Sequence, residues 1–238
     1  MTNHSLMPFA AALSAEKQFG RIAVIPDIKC ISPKEGDLLR GRDPVSVAAD
    51  LVSWGAPVLS VVTEETNFGG SPRLLQTIAE RANVPVLRKD FIRDAAGLRE
   101  TVSLGASAVL LIAASVDEKT LTMLYEKALH VGLEPLVEIH TAAEMAFAQS
   151  LQPQLLGINN RNILDLELDN GNPDRTQRLA EGRPANSLLI SESGILTAED
   201  ATQAVQAGAD AILVGTALWQ ASDMASAYRM LQEAASCA

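Results

Sequence analysis

Pro135–Asn160, "PLVEIHTAAEMAFAQSLQPQLLGINN", is the stretch that decides the fold. It opens on one apolar run, "PLVEIH", and closes on another, "LLGINN". Between them Thr141 and Glu144 have the spacing of a capping box. There the threonine side chain accepts the amide of the third helical residue and the glutamate reaches back to the cap amide. A helix therefore starts at Thr141. The flanking runs do not alternate polar and apolar positions, as strands covered on both faces of a parallel sheet need not.

The same unit recurs along the chain. Strands are expected at "IAVIPDI", "VLSVVT", "PVLR", "AVLLIAA", "PLVEIH", "LLGINN", "LLISES" and "AILVGTA". Asp43-Pro44 and Ser71-Pro72 each supply an N-cap followed by a first-turn proline. Ser115 with Glu118 reads as a further capping box, and Thr197 with Asp200 as a near variant of one. "WGA", "LGA", "VGL" and "AGA" place a glycine at helix ends, ahead of the next strand. Eight strand–helix units of roughly 20–35 residues give a (β/α)8 TIM barrel. A doubly wound open sheet is the alternative, but it usually has fewer strands, and no G-x-G-x-x-G is present. No linker or low-complexity tract divides the chain, so residues 1–238 read as one domain. Residues 1–20 form a short helical extension, "PFAAALSAEKQ", ahead of the first strand.

Composition narrows the partners. A net charge of −10 and a pI near 4.8 argue against a nucleic-acid or anionic-membrane partner, though not against a small anionic ligand. Cys30 and Cys237 fit no metal spacing, so no metal is expected and a reducing cytoplasmic setting is the simpler reading. No run of 18 apolar residues exists, and the N-terminus lacks the basic start and long apolar core of a signal peptide.

In a barrel of this kind, chemistry gathers at the C-terminal ends of the strands. Here those ends carry Asp27, Lys29 and Ser32; Thr63 and Glu64, then Phe68; Arg88, Lys89 and Asp90; Glu138 and His140; Asn159, Asn160 and Arg161; Glu192, Ser193 and Gly194; and Gly215 with Thr216. Only the fourth strand, with Leu110, stays apolar. The sharpest case is "PVLRKDFI", which brings a lysine to the end of a core strand, where an unpaired charge costs several kcal/mol, roughly. Convergence on one mouth explains it, because carboxylates there can pair with Lys89. Alternation sends Arg88 and Asp90 the other way, towards water. Gly194, Gly215 and Thr216, with Lys29 and Ser32, read as a phosphate cradle of backbone amides at a helix start. His140, without a second histidine or a cysteine nearby, reads as structural.

The motifs "DIKCISPKEG", "VVTEETNFGGS", "PVLRKDFI", "LVEIHT", "GINNRN", "ISESGI" and "ILVGTAL" resemble, in order and spacing, those of the indole-3-glycerol-phosphate synthase family. The resemblance runs from about Ile22 to the C-terminus, and Lys-Asp-Phe and Gly-Ile-Asn-Asn-Arg are its most specific parts. It implies ring closure, decarboxylation and dehydration of 1-(2-carboxyphenylamino)-1-deoxyribulose 5-phosphate in tryptophan biosynthesis, without a cofactor. It implies Lys89 as general acid and Glu138 as the carboxylate that moves the dehydration proton. Asp27 would stand at a catalytic glutamate's position, and Asn159, Glu192 and Ser193 would position the substrate and the catalytic pair. Lys29, Ser32, Gly194, Gly215 and Thr216 would hold its anionic ends, with Arg161 in support. Phe68, Phe91 and Leu110 would sandwich the aromatic ring. The partner is then a small sugar phosphate, and the protein a monomer or weak homo-oligomer.

Three departures stand out. Asp27 replaces the family's usual Glu and is one methylene shorter. The segment before the first strand is short, where the family usually carries a longer extension that helps close the substrate pocket. Asn162 replaces an aspartate in "NNRN". They leave two alternatives: a relative acting on another N-aryl ribulose phosphate, and a non-catalytic phosphate-binding barrel. The presence of Lys89, Glu138 and Asn159 argues against the second.

Overall fold

The computed structural model describes residues 9–163, 166, 168–169 and 171–236. Cys237, at the C-terminus, and Pro8, at the start of the expected first helix, lie outside them. Eight parallel strands close into a barrel: β1 (Ala23–Ile28), β4 (Leu59–Val62), β5 (Val86–Lys89), β6 (Ala108–Ile112), β7 (Glu134–Ile139), β8 (Leu155–Asn159), β9 (Leu188–Glu192) and β10 (Ala211–Val214). β10 returns to pair with β1, from Ala23 opposite Ala211 to Pro26 opposite Val214. Between the strands run α2 (Pro44–Ser53), α3 (Pro72–Arg81), α4 (Ala95–Ser103), α5 (Glu118–His130), α6 (Ala142–Leu151), α7 (Asp174–Leu179) and α8 (Ala198–Gln206). After β10 come α9 (Thr216–Gln220) and α10 (Met224–Ser236). The (β/α)8 fold read from the sequence is the fold observed.

The caps explain most helix starts. Asp43, Ser71, Thr141 and Thr197 accept amides of their first turns, and the last two form complete capping boxes. Gly55, Gly105, Gly132 and Gly208 have positive φ just beyond the helix ends, where a β-carbon would be strained. One expectation needs correction. The cap of α5 is Asp117, which takes the Thr120 amide at 2.7 Å, whereas Ser115 donates to the Ile112 carbonyl. Asp117 sits immediately before the helix, so its carboxylate has the shorter reach and the favourable charge for the helix N-terminus.

A second departure is a small antiparallel hairpin, β2 (Ile31–Ser32) with β3 (Gly36–Asp37), which interrupts the first βα connection. Its strands are too short to be heard as a period-two pattern. The hairpin rests on the next mouth loop through a hydrogen bond from the Ile31 amide to the Phe68 carbonyl.

The helix ahead of the barrel, α1 (Phe9–Gln18), lies across the end away from the catalytic mouth. Phe9, Ala10, Ala12 and Leu13 are buried and pack in one cluster with Ala23, Val58, Ala108, Leu155 and Ala211, residues at or near the strand starts. Each large side chain so covered contributes about 1.5–3 kcal/mol. Glu134, the first residue of β7, caps the helix by accepting the Phe9 and Ala10 amides. Lys17 reaches Asp210 ahead of β10. α1 is thus a plug under the barrel.

Arg88 does not reach water, contrary to the sequence reading. It is only 4% exposed, because the outer face of β5 is roofed by α4. Its guanidinium meets Asp90 at 3.0 Å, Glu100 at 2.9 Å and the hydroxyls of Thr63 and Thr101. A buried cation is tolerable when its donors are satisfied in this way.

Candidate active site

Alternation along β5 turns Lys89 inward as Arg88 turns out, and the neighbouring strands do the same with their last polar residues. Two adjoining cavities fill the mouth. One, with about 340 Å³ of empty space, is lined by Lys29, Phe68, Lys89, Asp90, Phe91, Leu110, Glu138 and Ile163, among others. The other, of about 370 Å³, is lined by Asp27, Lys29, Lys89, Arg161, Ser193, Gly194, Leu213, Gly215 and Thr216, among others. Lys29 and Lys89 belong to both, so two cations stand at the seam between an aromatic chamber and a glycine-rich one.

Lys29 is 4% exposed, and its ammonium lies 4.7 Å from the centre of the Phe68 ring. A cation at that distance is attracted by the ring face, and the contact fixes both side chains. Glu138 and Glu192 are wholly buried. A deeply buried carboxylate is stable as an anion only with donors or cations around it.

Asp27, also buried, accepts the Ser60 hydroxyl at 2.7 Å. Its backbone carbonyl accepts the Trp219 indole N–H at 2.8 Å, which ties the end of β1 to α9. A β-carbon on Gly215 would come within 3.3 Å of the Asp27 β-carbon. The shorter carboxylate therefore sits in a fitted slot between β4 and β10. Ser60 was not singled out in the sequence, and no local signal marks it.

The end of β8 splits its two asparagines between different duties. Asn160 faces away from the barrel axis and is fully used. Its amide nitrogen donates to the Ser191 hydroxyl and to the Glu192 and Ser193 carbonyls, and its oxygen accepts from Thr176. Arg175 braces the same corner by donating to the Asn159 and Arg161 carbonyls. Asn159 faces in. Its oxygen accepts the Arg161 amide at 3.0 Å, while its buried Nδ2 has no hydrogen-bond partner among the described residues. A buried amide without a partner costs about 1–3 kcal/mol.

Gly157, one turn of the pleat below Asn159, makes the space for Glu192. A β-carbon there would lie 1.9 Å from Glu192 Oε1. The sequence carried that signal, since a glycine inside a strand often marks a close approach. Ser193 and Gly194 both have positive φ, 61° and 69°. A β-carbon on Gly194 would meet the Gly171 backbone at 2.8 Å, so only glycine fits that bend. A non-glycine residue in the left-handed region is uncommon, and such strain tends to sit at functional sites.

Most of the residues singled out in the sequence are thus brought together. Lys29, Phe68, Lys89, Phe91, Leu110 and Glu138 share the first chamber; Asp27, Arg161, Ser193, Gly194, Gly215 and Thr216 share the second. Asn159 and Glu192 lie buried at the ends of β8 and β9, outside the lining of either chamber. Ser32 stands apart, buried in the β2–β3 hairpin, where its hydroxyl accepts the Glu35 amide. No cluster of three or more potential metal ligands occurs among the described residues, and none of their helices is long and apolar enough to cross a membrane.

The chain is similar to known proteins over most of its length. The family model for indole-3-glycerol phosphate synthase matches residues 2–231. The indole-3-glycerol phosphate synthase of Pyrococcus furiosus is 41% identical over 211 residues, covering 89% of this chain and 92% of that one. Indole-3-glycerol phosphate synthase 1 of Streptomyces coelicolor is 41% identical over 197 residues, covering 83% and 72%. Among solved structures, a thiamine phosphate pyrophosphorylase from Pyrococcus furiosus superposes with a TM-score of 0.63 at 14% identity, over 91% of this chain and 96% of that one, a likeness of fold alone.

Proposed function

This chain belongs to the indole-3-glycerol phosphate synthase family, and from that premise we propose how its two chambers divide the work. The protein is an indole-3-glycerol phosphate synthase, a carboxy-lyase of tryptophan biosynthesis. It closes the indole ring of 1-(2-carboxyphenylamino)-1-deoxyribulose 5-phosphate with loss of CO2 and water. The carboxyphenyl ring enters the aromatic chamber between Phe68, Phe91 and Leu110. The phosphate lies in the polar chamber, against Ser193, Gly194, Gly215 and Thr216. The observation that carries this reading is the pair of lysines at the seam. A substrate spanning both chambers has its reacting carbonyl carbon there.

Lys29 and Arg161 then neutralise the two anionic ends and hold the flexible substrate folded, which is where an intramolecular ring closure gains most. Lys89 donates its proton to the carbonyl oxygen as the aromatic carbon attacks. The carboxylate leaves as CO2, and its electron pair restores the aromatic ring. The hydroxyl takes a proton from solvent and departs as water, and Glu138 takes the neighbouring C–H proton to complete the indole. Asn159, whose side-chain oxygen accepts the Arg161 amide, holds that corner of the polar chamber in place for the substrate. Glu192 and Asp27 orient the lysines and the substrate from below. No metal or cofactor is required by these steps. We place the enzyme in the cytoplasm, as a monomer or weak homo-oligomer.

The test is direct. The purified protein is given the substrate without metal or cofactor, and indole fluorescence is followed. Wild type should turn over, while Lys89→Ala and Glu138→Gln should lose ~10²–10⁴-fold in kcat with much less change in KM. No fluorescence at high enzyme concentration refutes the substrate. A variant keeping a tenth or more of wild-type kcat refutes that residue's role.

A further inference from the structure

His140 follows Glu138 by two residues, so both side chains turn to the same side of the chain. Its Nε2 lies 3.4 Å from Glu138 Oε1, and its Nδ1 lies 3.7 Å from Glu144 Oε2. The ring is only 7% exposed, and neither nitrogen has a hydrogen-bond partner among the described residues. Glu138 is fully buried, whereas the Glu144 side chain is 21% exposed. One imidazole therefore bridges a buried carboxylate that borders the aromatic chamber and a carboxylate in touch with water. For packing alone, a polar ring with two unpartnered nitrogens is a poor choice, because each buried unsatisfied group costs about 1–3 kcal/mol.

Glu144 is fixed at the outer end. Its Oε2 accepts the His140 amide at 2.6 Å and the Thr141 amide at 3.3 Å within the capping box of α6. Burial pushes its carboxyl up, but the His140 ring and amide outweigh burial and hold it below the ordinary glutamate range. It is therefore an ionised acceptor at neutral pH.

We propose that His140 is a positioning residue that acts through Glu138, carrying the proton Glu138 collects out to Glu144 and solvent. The proposal rests on the role given to Glu138 above. In the relay the imidazole holds a proton on Nδ1, towards Glu144, and accepts at Nε2 from Glu138. Once Glu138 has taken the substrate C–H proton, its carboxyl O–H bond breaks and a bond forms at Nε2. The Nδ1 proton leaves to the Glu144 carboxylate and from there to water. One proton enters the relay and one leaves, and Glu138 returns to its ionised form. His140 lines neither chamber, so its effect falls on turnover and not on substrate binding.

His140→Gln, His140→Ala and Glu144→Gln test this in steady state. A glutamine at position 144 can still complete the capping box, so its effect is not one of lost helix start. Both His140 variants should lose about tenfold or more in kcat, with KM within about threefold. Glu144→Gln should lose less. Added imidazole should restore His140→Ala, and pyrazole, of the same shape but a much weaker base, should not. Equal rescue by pyrazole would mean that the ring only fills space, and would overturn the relay. If His140→Ala does not fold, the solvent deuterium isotope effect on kcat of His140→Gln decides. It should rise above the wild-type value, and an unchanged one overturns the proposal. A wild-type kcat in His140→Gln beside an inactive Glu138→Gln would remove the relay and leave the reaction standing. An active Glu138→Gln would instead refute the premise.

Discussion

Gly157→Ala separates the chemistry of the site from the stability of the barrel. The added β-carbon would fall 1.9 Å from Glu192 Oε1 and 3.1 Å from its Cδ. Non-bonded heavy atoms settle at about 3.5–4.0 Å, so the carboxylate must withdraw by roughly 1 Å or more. The next neighbour, Leu136 Cδ1, is already at 3.5 Å and need not move. What yields is the far end of one side chain, so the cost to folding should sit at the low end of the ~1–3 kcal/mol typical of overpacking. For a domain of this size that lowers Tm by about 2–4 °C. Activity should fall much further, because a displacement of about 1 Å at a reacting centre can cost ~10²-fold. Calorimetry and indole fluorescence measure the two quantities on one preparation. In a Glu192→Ala background the same substitution should change little, since the group it displaces has gone. Activity within threefold of wild type, or an equal loss with and without Glu192, would refute the reasoning.

Asp27→Glu should lower kcat/KM by roughly tenfold to a hundredfold, because the longer side chain moves its carboxylate off the Ser60 hydroxyl and into the polar chamber; a gain in steady-state kinetics would show that the shorter carboxylate is not fitted to this site. Arg88→Met should cost about 1–3 kcal/mol by removing the cation beside Asp90 and the N–H donors to the Thr63 and Thr101 hydroxyls, and an unchanged melting temperature would show that the network adds nothing. Asp117 is held below the ordinary aspartate range by the Thr120 amide and side chain. Its contribution is therefore complete above the unfolded pKa of about 3.9 and fades as pH falls through the lower folded value. Asn caps nearly as well, so Asp117→Asn should differ little at neutral pH, and the gap to wild type should narrow in acid. A gap that widens in acid-unfolding curves would reverse that sign.

The sequence carried the barrel because its signals are local. Thr141 with Glu144, Ser71-Pro72 and the glycines after α2, α4, α5 and α8 state where elements begin and end. Polar residues at the strand ends then locate the mouth without any knowledge of pairing. Hidden features depend on what the far side of the barrel supplies. Arg88 reads as a surface charge until α4 is laid over it with Thr101 and Glu100. Ser60 has no distinguishing neighbour in sequence, and its meaning comes from Asp27 across the β1–β4 pair. His140 was set aside for want of a histidine or cysteine nearby, yet its partners are carboxylates. The destination of α1 was equally illegible, because an apolar face says that a helix is covered and not by which end of a barrel.

Closure of the ring by β10 against β1 also bears on how the chain is made. Tyr228 donates to the Val24 carbonyl across 204 residues, and Trp219 to Asp27 across 192. At about 5–20 residues per second on the ribosome, β1 waits ~10–40 s for the strand that covers its second edge. During that interval an apolar strand offers unpaired amides and carbonyls to any neighbouring nascent chain. Pro26, which lies on that waiting edge opposite Val214, has no amide to offer. It interrupts the template where a foreign strand would otherwise continue. The polar chamber is bounded by the same two strands, with Asp27 from the first and Val214 from the last. Both strands must therefore be made before that chamber can close.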